Sequence, residues 1–306
     1  MKTIATKKIA TAILLAMFAT DNHAGLVEDA AKECSFCDDW NKPQAAFHVY
    51  GNTWYVGTKG LGAILVATDE GLILIDGALA QSAHLIDENI RAAGFDPLDI
   101  KYILNSHAHF DHAGGIAALQ RYTGAQALAS EGSLAALQSG EVGKDDPQFG
   151  FGVEANRFPA VENVGLVANQ QTVRLGDTEL TAHYTPGHTP GGTTWTWQSC
   201  EGSNCLDMVY ADSLSPVSAD GFRFSDPDIS PNSAQQLSSS IALIQDLPCD
   251  ILLAPHPFLF RMEEKLAARE ADSRINPFID SSACSGYGDY FAEWLDRRLA
   301  EESGPD

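Results

Sequence analysis

The first half of the chain is predicted to form a sheet flanked by helices. From residue 46 to 76, apolar and polar positions alternate with the two-residue period of β-strands, and glycines separate the runs. The segment AQSAHLIDENIRAAG then has helical spacing and ends at Gly94. The pattern predicts strands at FHVYG, TWYVGT, GAILVATDEG, LILID, IKYILNS and QALAS, with helices over 80–94, about 113–121 and about 132–138.

The second half repeats this order of strands followed by helices. Strands are predicted at TVRL, ELTAHYT, TTWTWQS, DMVYADS and DILLAP, and helices over 234–246, 262–270 and 289–301. Strands followed by helices, twice over, predict an α/β protein in which two sheets pack face to face with helices outside, a four-layer αββα sandwich. Residues 139–163 have no clear period, and we expect a functional loop there.

Composition narrows the function classes. The chain has 306 residues, 44% of them hydrophobic, which is enough to bury a substantial core. It carries 41 Asp and Glu against 19 Lys and Arg, a formal charge of −22. Because phosphate backbones are bound through clustered basic residues, we expect no nucleic-acid partner.

Residues 1–24 have the order of a secretory signal. Three lysines precede an apolar run from Ile9 to Ala19, which is too short to span a bilayer comfortably. Cleavage after Ala19 or after Ala24 is expected, and an uncleaved anchor is the alternative. Removal of the leader would leave residues 25–306 as a single periplasmic domain with no membrane attachment.

Six cysteines would permit three disulfides in an exported chain. Cys200 and Cys205 bracket a short polar turn between two predicted strands, so they are expected to staple a hairpin. Cys249 and Cys284 would close a longer loop near the C-terminus. Cys34 and Cys37 form an isolated C-x-x-C, for which a local disulfide and two free thiols both remain open.

Six potential metal ligands follow strand-like runs. His107, His109, Asp111 and His112 form H-x-H-x-D-H directly after KYILNS, His188 lies in TPGHTPGG, and His256 follows DILLAP. Imidazole and carboxylate groups are zinc ligands, and strand-end loops can converge on one edge of a sandwich. Six ligands are too many for one tetrahedral ion, so the pattern favours two zinc ions.

These motifs resemble the metallo-β-lactamase superfamily. The segments GNTWYVGT, LILID, NSHAHFDHAGG, TPGHTPGGTTWTW, YADSLSPVSADGFRF and LPCDILLAPHP are similar to subclass B3 metallo-β-lactamases across roughly residues 38–290. The resemblance implies zinc-dependent hydrolysis of the amide bond of penicillins, cephalosporins and carbapenems, which confers antibiotic resistance.

The resemblance also assigns the ligands. It implies that His107, His109 and His188 hold the first zinc, and that Asp111, His112 and His256 hold the second. A hydroxide between the two ions would attack the β-lactam carbonyl, since zinc lowers the pKa of bound water to about 7. Asp111 would be the catalytic residue that orients this hydroxide.

Three further residues match substrate-binding positions. Ser213 and Ser215, in ADSLS, match serines that bind the substrate carboxylate or a nearby water, and a pair of turn hydroxyls is the alternative. Gln148, in DPQFG, matches a residue that reaches the site from the long loop, although an exposed loop glutamine would look the same. We expect a monomer acting on a small-molecule β-lactam.

Other proteins of this fold give the competing hypotheses. Glyoxalase II-like thioesterases and lactonases share H-x-H-x-D-H but use an aspartate to bridge both metals, and Asp212 in YADS could be mistaken for it. The motif match places Ser213 at the bridging position and predicts a structural role for Asp212. A redox diiron protein is disfavoured because such sites use a glutamate where His109 stands.

Overall fold

The computed structural model describes residues 25–228 and 231–304. The predicted leader and its cleavage sites lie outside these residues. Within the described ranges, no helix is both long and apolar enough to cross a membrane.

The first sheet has seven strands in sequential order. Strands β1 to β4 pair antiparallel, whereas β4 to β7 pair parallel. The strands are β1 (Phe47–Tyr50), β2 (Thr53–Tyr55), β3 (Ile64–Thr68), β4 (Gly71–Ile75), β5 (Ile100–Leu104), β6 (Gln126–Ala129) and β7 (Gly165–Leu166). The first six coincide with strands predicted from the sequence, so those predictions are confirmed. The last has only two residues, too short for a period to reveal it.

The second sheet has five strands in the order β12-β11-β10-β9-β8. They are β8 (Thr172–Leu175), β9 (Thr178–Tyr184), β10 (Thr193–Glu201), β11 (Asn204–Tyr210) and β12 (Ile251–Leu253), and all were predicted. β8 to β11 form an antiparallel meander, and β12 adds parallel to β11. Gly202, with φ of +64°, makes the tight turn between β10 and β11.

Helices flank both sheets. They are α1 (Cys37–Trp40), α2 (Ala83–Ala92), α3 (Phe110–Ala113), α4 (Ile116–Thr123), α5 (Glu131–Ser139), α6 (Val153–Asn156), α7 (Ser233–Asp246), α8 (Met262–Ala271) and α9 (Ala283–Glu302). Short 3-10 turns occupy Ala80–Ser82, Pro97–Asp99, Phe149–Phe151 and Pro257–Phe260.

Two helix predictions need correction. The helix predicted over about 113–121 begins three residues later, as α4 (Ile116–Thr123), and a separate short helix, α3 (Phe110–Ala113), precedes it across Gly114 and Gly115. A Cβ on Gly115 would lie 2.2 Å from the carbonyl oxygen of Gly77, so glycine permits this close approach. The helix predicted from residue 289 begins six residues earlier, at Ala283. Gly286 and Gly288 weaken its helix propensity there.

Side-chain alternation divides the core into layers. Ile73 and Ile75 of β4 lie in one buried cluster with Trp195 of the second sheet. Leu72 and Leu74, which point to the other face, lie in a second cluster with the helix α2. Leu237 of α7 and Phe291 of α9 belong to the cluster of the second sheet. The α/β sandwich of two sheets between helical layers is therefore confirmed.

Hydrogen bonds tie the two sheets at the edge where their strands end. Trp195 Nε1 donates to the Asn105 carbonyl at 3.1 Å, and the Thr193 N–H donates to the Ser106 carbonyl at 2.8 Å. Both acceptors immediately follow β5. The predicted ligands follow β5, β9 and β12, and Ser213 and Ser215 follow β11; contacts of His188 with Ser215 and of His256 with Asp111 bring these segments together at one edge.

Three cysteine pairs lie at disulfide distance. They are Cys34 with Cys37, Cys200 with Cys205, and Cys249 with Cys284. Cys200 and Cys205 are opposite each other in the β10–β11 register, as expected for a hairpin staple. The Cα atoms of Cys34 and Cys37 lie 5.1 Å apart, a separation that a local disulfide can span.

We predict that these pairs stabilise the fold according to loop length. Cys249 and Cys284 are 35 residues apart, whereas Cys200 and Cys205 are five apart. Chain entropy then predicts that replacing both cysteines by serine costs about 4 kcal/mol for the first pair and about 2 kcal/mol for the second. Denaturant unfolding of the oxidised variants measures both values, and equal losses would contradict the entropic origin.

Candidate metal centre

The turn after β5 is built around the buried carboxyl group of Asp76. Its Oδ1 accepts from the Ser106 N–H at 2.8 Å, and its Oδ2 accepts from Ser106 Oγ at 2.6 Å and Tyr210 Oη at 2.8 Å. Burial raises the pKa of Asp76, and the nearby His112 and these hydrogen bonds only partly oppose this rise. The carboxyl group thus links β4, the H-x-H-x-D-H turn and the second sheet.

Three imidazoles converge in front of this turn. One ring nitrogen from each of His107, His109 and His188 lies within 4.8 Å of those of the other two. All three side chains are buried, and each pair of ring centroids is 4.9 Å apart. The structure therefore brings His188, from the loop after β9, to the turn after β5.

A second group adjoins the first. His112 Nε2 lies 3.2 Å from Asp111 Oδ2, and His256 Nε2 lies 3.5 Å from the same oxygen. His107, Asp111 and His112 also present ligand atoms within 4.8 Å of one another, so His107 lies between the two groups. All six predicted ligands are thus gathered at one edge of the sandwich.

A polar partner fixes each imidazole of the first group through its other nitrogen. His107 Nδ1 lies 2.7 Å from Asp212 Oδ1, and His109 Nε2 lies 3.1 Å from Asp146 Oδ2. His188 Nδ1 lies 2.9 Å from the Ser215 carbonyl oxygen. Such partners orient metal-binding imidazoles, so the remaining nitrogens, His107 Nε2, His109 Nδ1 and His188 Nε2, are the available ligand atoms.

Burial keeps the imidazoles of His107 and His188 neutral. Burial, reinforced by neighbouring imidazoles, lowers the pKa of His107 well below its ordinary value and that of His188 to about 3. His109 differs: burial lowers its pKa, but the Asp146 carboxylate more than offsets this. Neutral imidazole is the form that binds metal.

The pKa values of two buried carboxyl groups, Asp212 and Asp111, are shifted in opposite directions. Burial, followed by the charge of Asp76, raises the pKa of Asp212 well above its ordinary value. For Asp111, His112 and His256 outweigh burial and hold the pKa well below the usual range. Asp111 is therefore a carboxylate near neutral pH and can bind a cation directly.

The residues present fit a metal such as zinc. His107 Nε2 is buried and has no hydrogen-bond partner, which is costly unless a metal accepts its lone pair. The donors are imidazole nitrogens and a carboxylate oxygen, with no thiolate among them, which suits Zn²⁺.

An aromatic side chain, Trp40, lies beside His256 of the second group of potential ligands. The Trp40 ring lies 5.3 Å from the His256 ring and 6.4 Å from Phe110, measured between centroids. Trp40 is the last residue of α1, three positions after Cys37 of the Cys34–Cys37 pair. The sequence predictions missed this residue, since nothing in its local pattern marks it as a neighbour of His256.

The predicted substrate-binding residues lie in different surroundings. Ser213 is buried, and its Oγ lies 3.4 Å from Ser215 Oγ, which in turn lies 3.0 Å from His188 Nδ1. Ser215 therefore adjoins a ligand histidine. Gln148 is half-buried, and its N–H donates to Asp146 Oδ1 at 2.8 Å. It lies two residues from the partner of His109.

Asp146 is the second residue that sequence analysis missed. It lies within the 139–163 loop. The loop was predicted to be functional, but no pattern in the sequence singled out Asp146. Its carboxylate reaches His109 across 37 positions in the chain. The motif DDPQF gives no spacing signal for such a distant contact. Asp212 was expected to be structural, and its Oδ1 lies 2.7 Å from His107 Nδ1.

Comparison with known families decides the classification. The sequence profile described as "Metallo-beta-lactamase superfamily" matches residues 63–256, the span that contains all six gathered side chains. The chain belongs to the metallo-β-lactamase superfamily. It is accordingly a hydrolase, and its fold agrees with that assignment.

Solved structures of this superfamily match over nearly the whole chain. The Rm3 metallo-β-lactamase is 45% identical with a TM-score of 0.85, and the match covers 89% of this chain and 100% of that one. MEM-A1, a subclass B3 metallo-β-lactamase from a soil metagenome library, is 45% identical with a TM-score of 0.83, covering 87% and 99%. The subclass B3 enzyme BJP-1 of Bradyrhizobium japonicum is 34% identical with a TM-score of 0.79, covering 88% and 98%. The subclass B3 resemblance is thereby confirmed.

Curated members of the superfamily with other activities match over shorter spans. A hydroxyacylglutathione hydrolase of Anaeromyxobacter dehalogenans is 34% identical over 150 residues, 49% of this chain and 44% of that protein. An N-acyl homoserine lactonase of Bacillus thuringiensis is 28% identical over 153 residues, 42% and 54% respectively. The chain spans about half the length of these curated relatives.

We predict that the partner of His107 controls metal affinity. Asp212→Asn replaces the carboxyl group that contacts His107 Nδ1 while keeping the side-chain shape, and we expect metal affinity to fall about 10- to 100-fold. Competition with a chromophoric chelator measures this affinity. The control is Asp246→Asn, which makes the same substitution at an exposed position at the end of α7. Unchanged metal affinity in Asp212→Asn would show that the carboxylate does not orient the ligand.

Proposed function

We propose that this protein is a zinc-dependent β-lactamase that hydrolyses the amide bond of penicillins, cephalosporins and carbapenems. The observation that carries the proposal is the convergence of the six predicted ligands at one edge of the sandwich. Similarity to subclass B3 enzymes over their whole length supports the choice of substrate class. Hydrolysis of these drugs would confer antibiotic resistance.

The metal site would hold two zinc ions. His107, His109 and His188 would hold the first, and Asp111, His112 and His256 would hold the second. Zinc would supply Lewis acidity, which polarises carbonyl oxygens and lowers the pKa of bound water to about 7. The shared position of His107 supports two adjacent sites, because its ring belongs to both groups of potential ligands.

Asp111 would orient the attacking water through its carboxylate. Oδ2 already lies between His112 and His256, so the group is held in a fixed direction. In the overall reaction, water oxygen adds to the β-lactam carbonyl carbon and the carbon–nitrogen bond breaks. One proton of the water goes to the released nitrogen, and the product is a ring-opened β-amino acid.

Ser213 and Ser215 would bind the substrate carboxylate from the side of His188. The neighbouring hydroxyls, 3.4 Å apart, provide two donors on one short segment. Gln148 would contact the substrate from the 139–163 loop, since it follows the Asp146 that contacts His109. A small-molecule substrate needs no macromolecular partner, and a monomer would suffice.

The proposed enzyme would act in the periplasm. The predicted leader at residues 1–24 would deliver it there, and three cysteine pairs at disulfide distance suit an oxidising compartment.

A thioesterase or lactonase is the alternative, and the curated relatives raise it. In such enzymes an aspartate would bridge the metals. Here Asp212 Oδ1 instead lies against His107 Nδ1, on the side of the ring away from Nε2. This geometry favours the β-lactamase.

We predict chelator-sensitive hydrolysis of β-lactams. Purified, zinc-loaded protein should open a penicillin, a cephalosporin and a carbapenem, measured by loss of ring absorbance. EDTA should abolish turnover, and added zinc should restore it, whereas clavulanate-type serine inhibitors should have no effect. A homoserine lactone and a glutathione thioester are run in parallel. Turnover of either one, with all three β-lactams inert, would replace the proposal with the alternative.

The proposed ligand partition predicts the metal content of one variant. His188→Ala should retain about one zinc equivalent per chain, because the second ligand set keeps all its members. Elemental analysis after dialysis against a metal-free buffer measures the stoichiometry. His183→Ala, whose imidazole contacts Gln170 and Thr196, is the matched control and should retain two equivalents. Two equivalents in His188→Ala would contradict the partition.

A further inference from the structure

The segment of residues 213–225, called the serine loop below, forms one wall of the metal centre. Near its start, Ser215 holds His188 through its carbonyl oxygen and lies close to Ser213. Further along, the Ala219 N–H donates to the Pro147 carbonyl at 2.9 Å. Pro147 directly follows Asp146, the partner of His109. The serine loop therefore touches both the ligand shell and the 139–163 loop.

The last turn of α9 forms hydrogen bonds with residues 218–225, at the C-terminal end of this loop. Arg298 Nη2 donates to Ser218 Oγ at 2.9 Å and to the Phe222 carbonyl at 3.0 Å. Glu302 Oε1 accepts from the Phe224 N–H at 3.0 Å, and Oε2 accepts from the Ser225 N–H at 2.8 Å. The two side chains are also joined to each other, with Arg298 Nε 2.7 Å from Glu302 Oε1.

Burial distinguishes this contact from a surface ion pair. Glu302 is only 9% exposed, and a buried carboxylate is costly unless its oxygens are paired. Both oxygens are paired here, through charge-assisted hydrogen bonds to backbone and guanidinium groups. The preceding residue, Glu301, is exposed on the same helix turn. Helix geometry thus aims one of two adjacent glutamates into the loop.

The same helix also holds the near end of the loop. Tyr287 Oη donates to the Asp212 carbonyl at 2.8 Å, one residue before Ser213. α9 consequently spans the serine loop, with Tyr287 beside the metal-side anchor and Arg298 and Glu302 at the outer end. Loss of the outer contacts would leave the Tyr287 anchor and the Asp212–His107 contact in place.

We propose that Arg298 and Glu302 are positioning residues that set the serine loop for substrate binding and so determine affinity for the β-lactam. This inference rests on the proposed function. Neither residue contacts a predicted ligand, so both act through the loop. Preorganised binding walls reduce the entropy lost when substrate binds, and a loosened wall weakens binding more than it alters the reacting centre.

The test uses full-length, zinc-loaded protein and the chromogenic cephalosporin nitrocefin. Glu302→Gln removes the charge at nearly constant shape, and we expect KM to rise about fivefold while kcat stays within about twofold. Glu301→Gln is the matched control and should leave both constants unchanged. Arg298→Lys keeps the charge but loses the planar fork, so it should show the same KM effect. Arg297→Lys, whose exposed partner Glu293 is 3.8 Å away, is its control.

Hydrogen–deuterium exchange gives a readout independent of activity. Peptides covering residues 213–225 should exchange faster in Glu302→Gln, because its carboxylate accepts from the amides of Phe224 and Ser225. Peptides from β5 and β12 should be unchanged, and so should the zinc content. This pattern separates local loosening from a general loss of stability.

The results that overturn the inference are distinct from those that overturn the proposed function. A wild-type protein inert toward every β-lactam defeats the proposed function, and the exchange experiment then decides whether the two residues order the loop. An active wild type whose Glu302→Gln and Arg298→Lys variants keep the wild-type KM defeats the positioning role. A fall in kcat with loss of zinc would defeat it as well, because it would place the effect on the metal.

Discussion

Burial of ionisable groups where the two sheets meet is the constraint on which the rest of this structure depends. Asp76 and Asp212 are both fully buried, and burial raises the pKa of each. An unpaired buried carboxyl group is costly, so each requires donors with exact direction. Ser106 and Tyr210 provide them for Asp76, and His107 provides one for Asp212. These contacts connect the two sheets and fix the turn that presents the imidazoles.

The same constraint accounts for the shape of the metal centre. Each imidazole of the first group has one nitrogen committed to a carboxylate or a carbonyl, which leaves the other nitrogen as the only one free to bind metal. Because the partners come from loops after different strands, the ligand directions depend on the relative position of both sheets. The centre is thus a property of the whole sandwich, although four of its six candidate ligands come from one short motif.

The features of this centre that could be predicted from the sequence are those that depend on residues close together in the chain. Alternation revealed the strands around Ile73 and Trp195, and H-x-H-x-D-H marked four potential ligands by spacing alone. His188 and His256 could be added because each follows a strand that ends at the same edge. Asp146 and Trp40 could not be found in this way. Their roles come from contacts with His109 and His256 across long separations, which no local period encodes.

The helix α9 shows how stability and function can share one element. Its apolar face, with Phe291 and Leu295, packs in the core of the second sheet, and a helix needs such a face to be stable in water. Packing fixes the rotation of the helix, and this rotation directs Glu302 inward while Glu301 stays exposed. The serine loop has no helix or strand of its own, and ordering its backbone costs conformational entropy. Leu214 and Phe224 anchor it in the same core cluster, and the contacts from α9 add to that order, so residues about 85 positions from Ser215 can shape the site it lines.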